Sequence, residues 1–214
     1  MAYIGSKPAD KPVVASDLDP TIITGQTALA TAPADTDEFL ISDAGVLKRI
    51  DASLVGGGGI TEADNWRIAA TQSISADTDT VVNSSWERND NSSDKIGTGL
   101  TESSGIFTFP STGIYLISYQ QAVARSGDSR YFLGSIILST DSGSSYSLRA
   151  RGYASIKQVT GETSSSSSTS CTIDVTNAST FRLAFQATGD EAFTLRASST
   201  DQITGFYCIR LGDT

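Results

Sequence analysis

The stretch that most constrains the fold is residues 105–119, where two β-rich runs flank a short turn. The turn is Pro-Ser-Thr-Gly at residues 110–113, and aromatic side chains stand at Phe107, Tyr115 and Tyr119. Proline and glycine set turn geometry, whereas aromatic and β-branched residues favour strands. A related run covers residues 204–211. These runs predict buried strands of an all-β domain.

From residue 65 onward, short runs of strand-forming residues alternate with clusters of Gly, Asp, Asn and Ser. This spacing is typical of an antiparallel sandwich. No window keeps a period of 3.6 residues, so we expect little helix. Residues 163–170 are only Thr and Ser. They predict a solvated loop, because they can bury little apolar area, and the alternative is a loop that contacts a glycan or another surface.

The glycine-framed pattern resembles the jelly-roll family of complement C1q and tumour necrosis factor over about residues 65–214. The positions that carry it are Gly105, Phe107, Pro110, Gly113, Tyr115, Tyr119, Gly205 and Phe206. The resemblance implies an antiparallel jelly-roll sandwich that assembles as a homotrimer. It places Phe107, Tyr115, Tyr119 and Phe206 in the sandwich core or at the trimer axis, and a sandwich core without a trimer is the alternative.

Two departures from the family pattern limit what the resemblance implies. The usual Phe-Ser-Gly-Phe ending is Ile-Thr-Gly-Phe here, at residues 203–206, and there is no collagen-like Gly-x-y stalk. The fold expectation survives these changes. Complement-type or cytokine-type recognition is not carried over.

The 214 residues divide by composition into two parts, which we call the arm, residues 1–59, and the head, residues 60–214. The arm holds four of the five prolines and ends in four glycines at residues 56–59. Prolines interrupt regular elements, and a glycine run is a flexible linker. We therefore expect an extended arm that needs a partner surface to become ordered, joined to a head that folds alone.

Within the arm, residues 38–51 place two short apolar runs on either side of Asp-Ala-Gly at residues 43–45, which predicts a β-hairpin. Phe39 and Ile41 share one face by the period-2 rule, whereas Leu47 and Ile50 fall on opposite faces of the second strand. A lone two-stranded hairpin is marginal in water. We expect this one to pack against copies of itself or against another protein.

Residues 22–55, above all residues 37–51, also resemble a segment that recurs in tail-fibre and other structural proteins of tailed bacteriophages. This resemblance implies a virion structural protein, a trimeric fibre or spike whose head contacts a host surface glycan or protein. The alternative is a trimeric capsid decoration or cement protein. In either case Phe39, Ile41, Leu47 and Ile50 are the expected contacts with other virion proteins.

The N-terminus shows no pattern of a secretory signal, and no apolar stretch approaches the ~20 residues of a membrane span. We therefore expect assembly in the host cytoplasm, release by lysis and no membrane insertion. The 24 acidic residues against 15 basic ones give a net charge of -9. Without a basic stripe to track phosphates, nucleic acid is not an expected partner.

The chain has no histidine, which removes Ser-His and Cys-His nucleophile pairs. We expect no enzymatic activity, although paired carboxylates acting on a polysaccharide remain an alternative, because their defining separation is spatial. Cys171 and Cys208 are too few for a zinc site, and they could form a disulfide only if their strands were neighbours. Asp77 with Asp79, and the acidic stretch at residues 87–94, offer oxygen ligands suited to calcium. Solvated acidic turns are the favoured alternative, so we expect no cofactor.

Overall fold

The computed structural model describes residues 25, 27, 29–31, 33–34, 36–55, 59–88, 95–158 and 160–214. The chain divides into two compact units, Met1–Gly58 and Gly59–Thr214. This division lies one residue before the boundary between arm and head that composition suggests. The expected extended segment before residue 25 and the glycines at residues 56–58 lie outside the described residues.

The arm contains the predicted hairpin. Strand β1 is Glu38–Asp43 and strand β2 is Val46–Asp51, and they pair antiparallel over their full length. The two residues between them, Ala44 and Gly45, have φ values of 50° and 82°. Two successive positive φ angles define a type I′ turn, whose twist matches that of the flanking strands. A 3₁₀ turn, Ala52–Leu54, follows β2.

The head contains fourteen strands among its described residues, from β3 to β16. Their bounds are β3 Ala63–Ile68, β4 Gln72–Ile74, β5 Thr80–Val81, β6 Trp86–Arg88, β7 Lys95–Ile96, β8 Thr101–Ser103, β9 Ile106–Thr108, β10 Gly113–Arg125, β11 Ser129–Ser139, β12 Ser147–Ile156, β13 Thr163–Val175, β14 Arg182–Gly189, β15 Phe193–Leu195 and β16 Gly205–Gly212. The turn at residues 110–113 thus separates β9 from β10, as the sequence predicts.

The fourteen strands form two antiparallel sheets. The eight-stranded sheet runs β4-β15-β10-β16-β3-β6, with β13 also paired to β10 and β7 also paired to β3. The six-stranded sheet runs β12-β11-β14-β9-β8, with β5 also paired to β14. Most neighbours in these sheets are distant in the chain. The long strand β10 alternates buried and half-buried residues along most of its length, as expected for a strand with one face on a core.

Aromatic side chains from both sheets meet in the core. Phe206 of β16 lies 4.8 Å, ring centre to ring centre, from Phe107 of β9, and Tyr119 of β10 stacks on Phe185 of β14 at 4.6 Å. Trp86 of β6 contacts Phe107 edge-on at 5.3 Å. Offset and edge-on pairs of this kind stabilise a core beyond the area that they bury. The cluster therefore ties the two sheets together.

The prediction of a solvated loop at residues 163–170 is wrong. These residues begin β13, which pairs with β10 without interruption from Thr163 opposite Arg125 to Val175 opposite Gly113. Serine has little preference for strands, but β10 supplies every partner for the backbone ladder, and tertiary context overrides local preference. Alternate serines, such as Ser164 and Ser166, are exposed.

The two cysteines lie on either side of β10. Cys171 of β13 and Cys208 of β16 both pair with Ile117, so one strand separates them. Both are free thiols. Burial raises the pKa of both thiols, and that of Cys208 most strongly. They are therefore small core residues and not a disulfide.

Candidate assembly surfaces

The motif residues lie inside the head and not on its surface. Phe107 and Phe206 are fully buried, and Tyr115 and Tyr119 are each 1% exposed within a single chain. The Tyr115 hydroxyl donates to the backbone oxygen of Ser111 at 3.0 Å, which closes the turn onto β10. Burial raises the pKa of Tyr119 far above its ordinary value. Any surface through which copies of the head associate is formed by other side chains.

The outer side of the eight-stranded sheet carries a set of apolar side chains that the described residues of the head leave exposed. Tyr207 and Leu211 of β16 are 45% and 59% exposed, and Ile96 of β7 is 47% exposed. Half-buried Leu116 and Ile209 complete the set, because they are cross-strand partners and share this side with Tyr207. We call these five residues the outer apolar face. Contiguous exposed apolar area of this kind marks an interaction surface.

A groove of about 260 Å³ lies on the outer apolar face. Its lining includes Ile96, Tyr207 and Ile209, together with Asn65 and Lys95. The side-chain oxygen Oδ1 of Asn65 is buried and accepts no hydrogen bond within the described part of the chain. A buried acceptor without a donor is unfavourable. The groove is thus apolar with one oxygen suited to a donor from a partner.

A buried carboxylate holds the strand edge beneath this groove in place. Asp64 of β3 accepts two hydrogen bonds from the Arg88 guanidinium, at 2.8 and 2.9 Å, and one from the Leu100 backbone N–H at 2.7 Å. The guanidinium also lies 4.3 Å from the ring centre of Trp66. Glu62 accepts the N–H groups of residues 98 and 99, at 2.8 Å each. These bonds hold the loop after β7 against β3.

Strands β12 and β13 approach each other at one side of the sandwich, although they belong to different sheets. A Cβ atom on Gly152 of β12 would lie 2.1 Å from the backbone oxygen of Ser168 in β13. Leu148 and Tyr153 of β12 are exposed by 46% and 63%. This side therefore presents a second apolar surface beside a close backbone contact.

The arm hairpin carries apolar side chains mainly on one face. Phe39 and Ile41 are 41% and 37% exposed, and Phe39 pairs with Ile50, which places all three on one side of the hairpin. Leu40, 71% exposed, lies on the other side together with the Glu38–Arg49 ion pair at 3.0 Å. Among the predicted anchoring residues, Leu47 pairs with Ser42 in the backbone register.

Of the acidic residues considered as calcium ligands, Asp79 has other side-chain partners and Asp77 lies in a turn. Asp79 accepts a hydrogen bond from the Thr188 hydroxyl and lies 3.9 Å from the Arg151 guanidinium. Asp77 takes a positive φ of 51° in a turn. Residues 89–94 of the second acidic stretch lie outside the described residues. Within the described ranges, no three His, Cys, Asp or Glu side chains gather as metal ligands.

Comparison with solved structures identifies the architecture of the head. The Eiger TNF of S. frugiperda superposes with a TM-score of 0.55 at 14% identity, covering 73% of this chain and 96% of that one. The head has the jelly-roll fold of the tumour necrosis factor group. Murine APRIL superposes with a TM-score of 0.50 at 14% identity, covering 70% of this chain and 99% of that one.

At this identity the likeness shows the fold alone. No protein-family model and no curated protein matches the sequence. In the described part of the chain, no helix is long and apolar enough to cross a membrane.

Proposed function

We propose that this protein is a homotrimeric structural protein of a tailed-bacteriophage virion, a fibre or spike whose head contacts the host surface. The observation that carries the proposal is that each of the two compact units has an apolar surface that its own described residues leave exposed. These surfaces are the outer apolar face of the head and the Phe39–Ile41–Ile50 side of the hairpin. The surface on the head suits association with other copies of the head, and the surface on the hairpin suits attachment to other virion proteins.

The outer apolar face supports self-association of the head. Covering a large apolar side chain contributes about 1.5–3 kcal/mol, and Tyr207, Leu211 and Ile96 are each about half uncovered. The tumour necrosis factor-like fold supports a closed trimer, which the sequence resemblance also implies. In a ring of three copies, the outer apolar face of each head packs against a different surface of the next, and β12 with Leu148 and Tyr153 offers a second apolar surface.

The hairpin supports attachment to other virion proteins. The sequence of residues 22–55 resembles segments of phage structural proteins, and a type I′ hairpin with one apolar side is too small to bury that side itself. Three arms in one trimer bind cooperatively to a symmetric particle. The function is architectural and not enzymatic. Assembly takes place in the host cytoplasm, with release by lysis.

The trimer is tested by light scattering on the purified chain and on Tyr207→Asp. The substitution places a charge on the outer apolar face, and we expect it to convert a trimer into monomers of 22.4 kDa. Thr176→Asp, at an exposed polar position, is the control and keeps the trimer. A wild-type chain that is monomeric at micromolar concentration, or a Tyr207→Asp chain that remains trimeric, contradicts the proposed interface.

Attachment is tested in particles that carry Phe39→Asp with Ile41→Asp. We expect these particles to lack the protein, whereas Thr176→Asp, at an exposed polar position of the head, leaves its amount unchanged. Full incorporation of the double variant shows that the hairpin is not the anchor. Electron microscopy of particles that carry the labelled protein then shows where on the virion the protein is located. Label at the three-fold positions of the capsid would assign it as a decoration or cement protein.

A further inference from the structure

A second groove of the head lies on the outer side of the six-stranded sheet, and the assembly surfaces do not include it. Its volume is about 300 Å³, within the range of ligand pockets. Strands β8 and β9 and the start of β14 form its floor, and the loop between β11 and β12 forms one wall. The polar side chains among its lining residues include Thr101, Ser103, Thr108, Tyr146 and Arg182.

The floor of this groove is a row of polar side chains across three strands. Thr101 pairs with Thr108, and Thr108 pairs with Arg182, so the three stand side by side. Their neighbours Phe107 and Leu183 point the other way and are fully buried in the core. Two N–H groups of Arg182 donate to the backbone oxygens of Phe181 and Ser179, at 2.7 and 2.9 Å. The floor is therefore built on rigid strands with a fixed guanidinium.

The wall beside this floor is the loop between β11 and β12, which Asp141 holds in one conformation. Its carboxylate accepts hydrogen bonds from the hydroxyls of Ser139 and Ser145, at 2.6 Å each, and from the Ser145 N–H at 3.0 Å. Hydrogen bonding from Ser139 and Ser145 lowers the pKa of Asp141 to about 2. A loop already held in this way loses little conformational entropy when a ligand binds.

The loop brings one unsatisfied hydroxyl to the groove. The Tyr146 Oη atom is buried and has no hydrogen-bond partner among the described residues. Gly143 lies next to it with a φ of 93°, and a Cβ there would make an ordinary contact with Oη at 3.4 Å. A buried phenol can both donate and accept, and leaving it without a partner is unfavourable. A ligand hydroxyl that reaches Oη from the groove would supply the missing hydrogen bond.

We propose that this groove binds one sugar unit of an uncharged saccharide. The lining offers three aliphatic hydroxyls on Thr101, Ser103 and Thr108, and the amphipathic ring of Tyr146. Its charged side chains, Arg182 and Glu102, have opposite signs, and the Glu102 carboxylate accepts a hydrogen bond from the Gly105 N–H at 2.6 Å, so the lining carries no net charge that would favour a phosphate or an acid. The hydroxyl-rich lining equally disfavours an apolar ligand. A sugar presents hydroxyl groups, which can hydrogen-bond to the hydroxyls of the lining, and C–H groups, which can pack on the Tyr146 ring.

This inference rests on the proposed host-facing role of the head, in which three grooves of one trimer together bind a surface glycan. Each single groove is expected to bind weakly. The test uses the purified full-length protein, so it does not depend on the virion. Binding of sugar by a protein that particles lack would refute the proposed function and leave this site standing.

The experiment is saturation-transfer NMR with the methyl glycosides of glucose, galactose and N-acetylglucosamine, and with methyl glucuronide as the charged comparison. We expect transfer to at least one neutral glycoside and a roughly 2- to 10-fold loss of affinity in Tyr146→Phe, which removes one hydrogen bond. Tyr131→Phe, the same change at a half-buried tyrosine outside the groove, leaves affinity unchanged. Ser103→Ala, at an exposed position of the groove, also weakens binding and provides a second measurement if Tyr146→Phe is unstable.

Three results overturn the proposal. The first is no transfer to any neutral glycoside at millimolar concentration of ligand. The second is equal affinity in Tyr146→Phe, Ser103→Ala and the Tyr131→Phe control. The third is binding of methyl glucuronide alone, which would make the groove a site for acids.

Discussion

Replacing Gly152 by alanine tests the closest backbone approach that the glycines of the head reveal. This residue lies in β12, and its ideal Cβ position is 2.1 Å from the oxygen and 2.7 Å from the carbonyl carbon of Ser168 in β13. Glycine in a strand interior is otherwise unfavourable, and its replacement by alanine in an unstrained strand stabilises by about 0.4–1 kcal/mol. At Gly152 the overlap of the new Cβ with Ser168 makes the substitution destabilising instead.

The size of the effect follows from what must move. Ordinary Cβ contacts begin at 3.4 Å, so β12 and β13 must separate by more than 1 Å at this point. Ser168 pairs with Gln120 in the middle of the β10–β13 ladder, which prevents an independent shift of its backbone. Overpacking of this kind costs about 1–3 kcal/mol. For a domain of this size, the melting temperature then falls by roughly 2–12 °C.

The assay is thermal unfolding followed by circular dichroism, with Gly212→Ala as the matched control. Gly212 also lies in a strand, and a Cβ there meets no atom within 4 Å. We expect Gly212→Ala to melt at or slightly above the wild-type temperature. If Gly152→Ala has the same melting temperature as Gly212→Ala, then β12 and β13 do not approach each other as described, and the reasoning is wrong.

Three further changes test the core, the buried ion pair and the loop of the polar groove. Phe107→Ala, at a fully buried ring with four aromatic neighbours, lowers the free energy of unfolding by about 3–5 kcal/mol in urea titrations. Asp64→Ala leaves the Arg88 guanidinium and the Leu100 N–H without their acceptor. Its cost is roughly 2–4 kcal/mol, below that of a fully buried pair because the Arg88 side chain is 32% exposed. Asp141→Asn lowers the melting temperature above about pH 4, and the difference from wild type disappears below about pH 2. Hydrogen bonds lower the pKa of Asp141 to about 2, so the carboxylate stabilises the fold above its ordinary pKa and loses this effect as the pH falls through the lowered one.

The local elements of the fold could be predicted from the sequence, because glycine and proline mark their ends. Gly105 has a φ of 82°, and a Cβ there would lie 2.6 Å from the backbone oxygen of Val82, so the residue before β9 must be glycine. The Ala44–Gly45 turn likewise follows from short-range chemistry. Both signals lie within a few residues of the structure that they specify.

The partners of each strand could not be predicted in this way. The serines that dominate residues 163–170 do not favour a strand, and β13 exists because β10, which is distant in the chain, supplies its whole ladder. The separation of Cys171 from Cys208 by β10 depends on the same non-local order of strands. The polar groove is a further case, because its floor and its loop come from distant segments.

The outer apolar face could have been predicted from the alternation of residues in β16, although the family motif does not indicate it. The motif directs attention to Phe206, which points into the core, but the alternate residues Tyr207, Ile209 and Leu211 of the same strand are also apolar. A strand with one face in water carries polar residues there, as β13 does at Ser164 and its alternate neighbours. Apolar residues on both faces of β16 indicate that both faces are covered. The core covers one face, whereas the described residues of the head leave Tyr207 and Leu211 on the other face exposed, which is why we place the proposed trimer interface on β16.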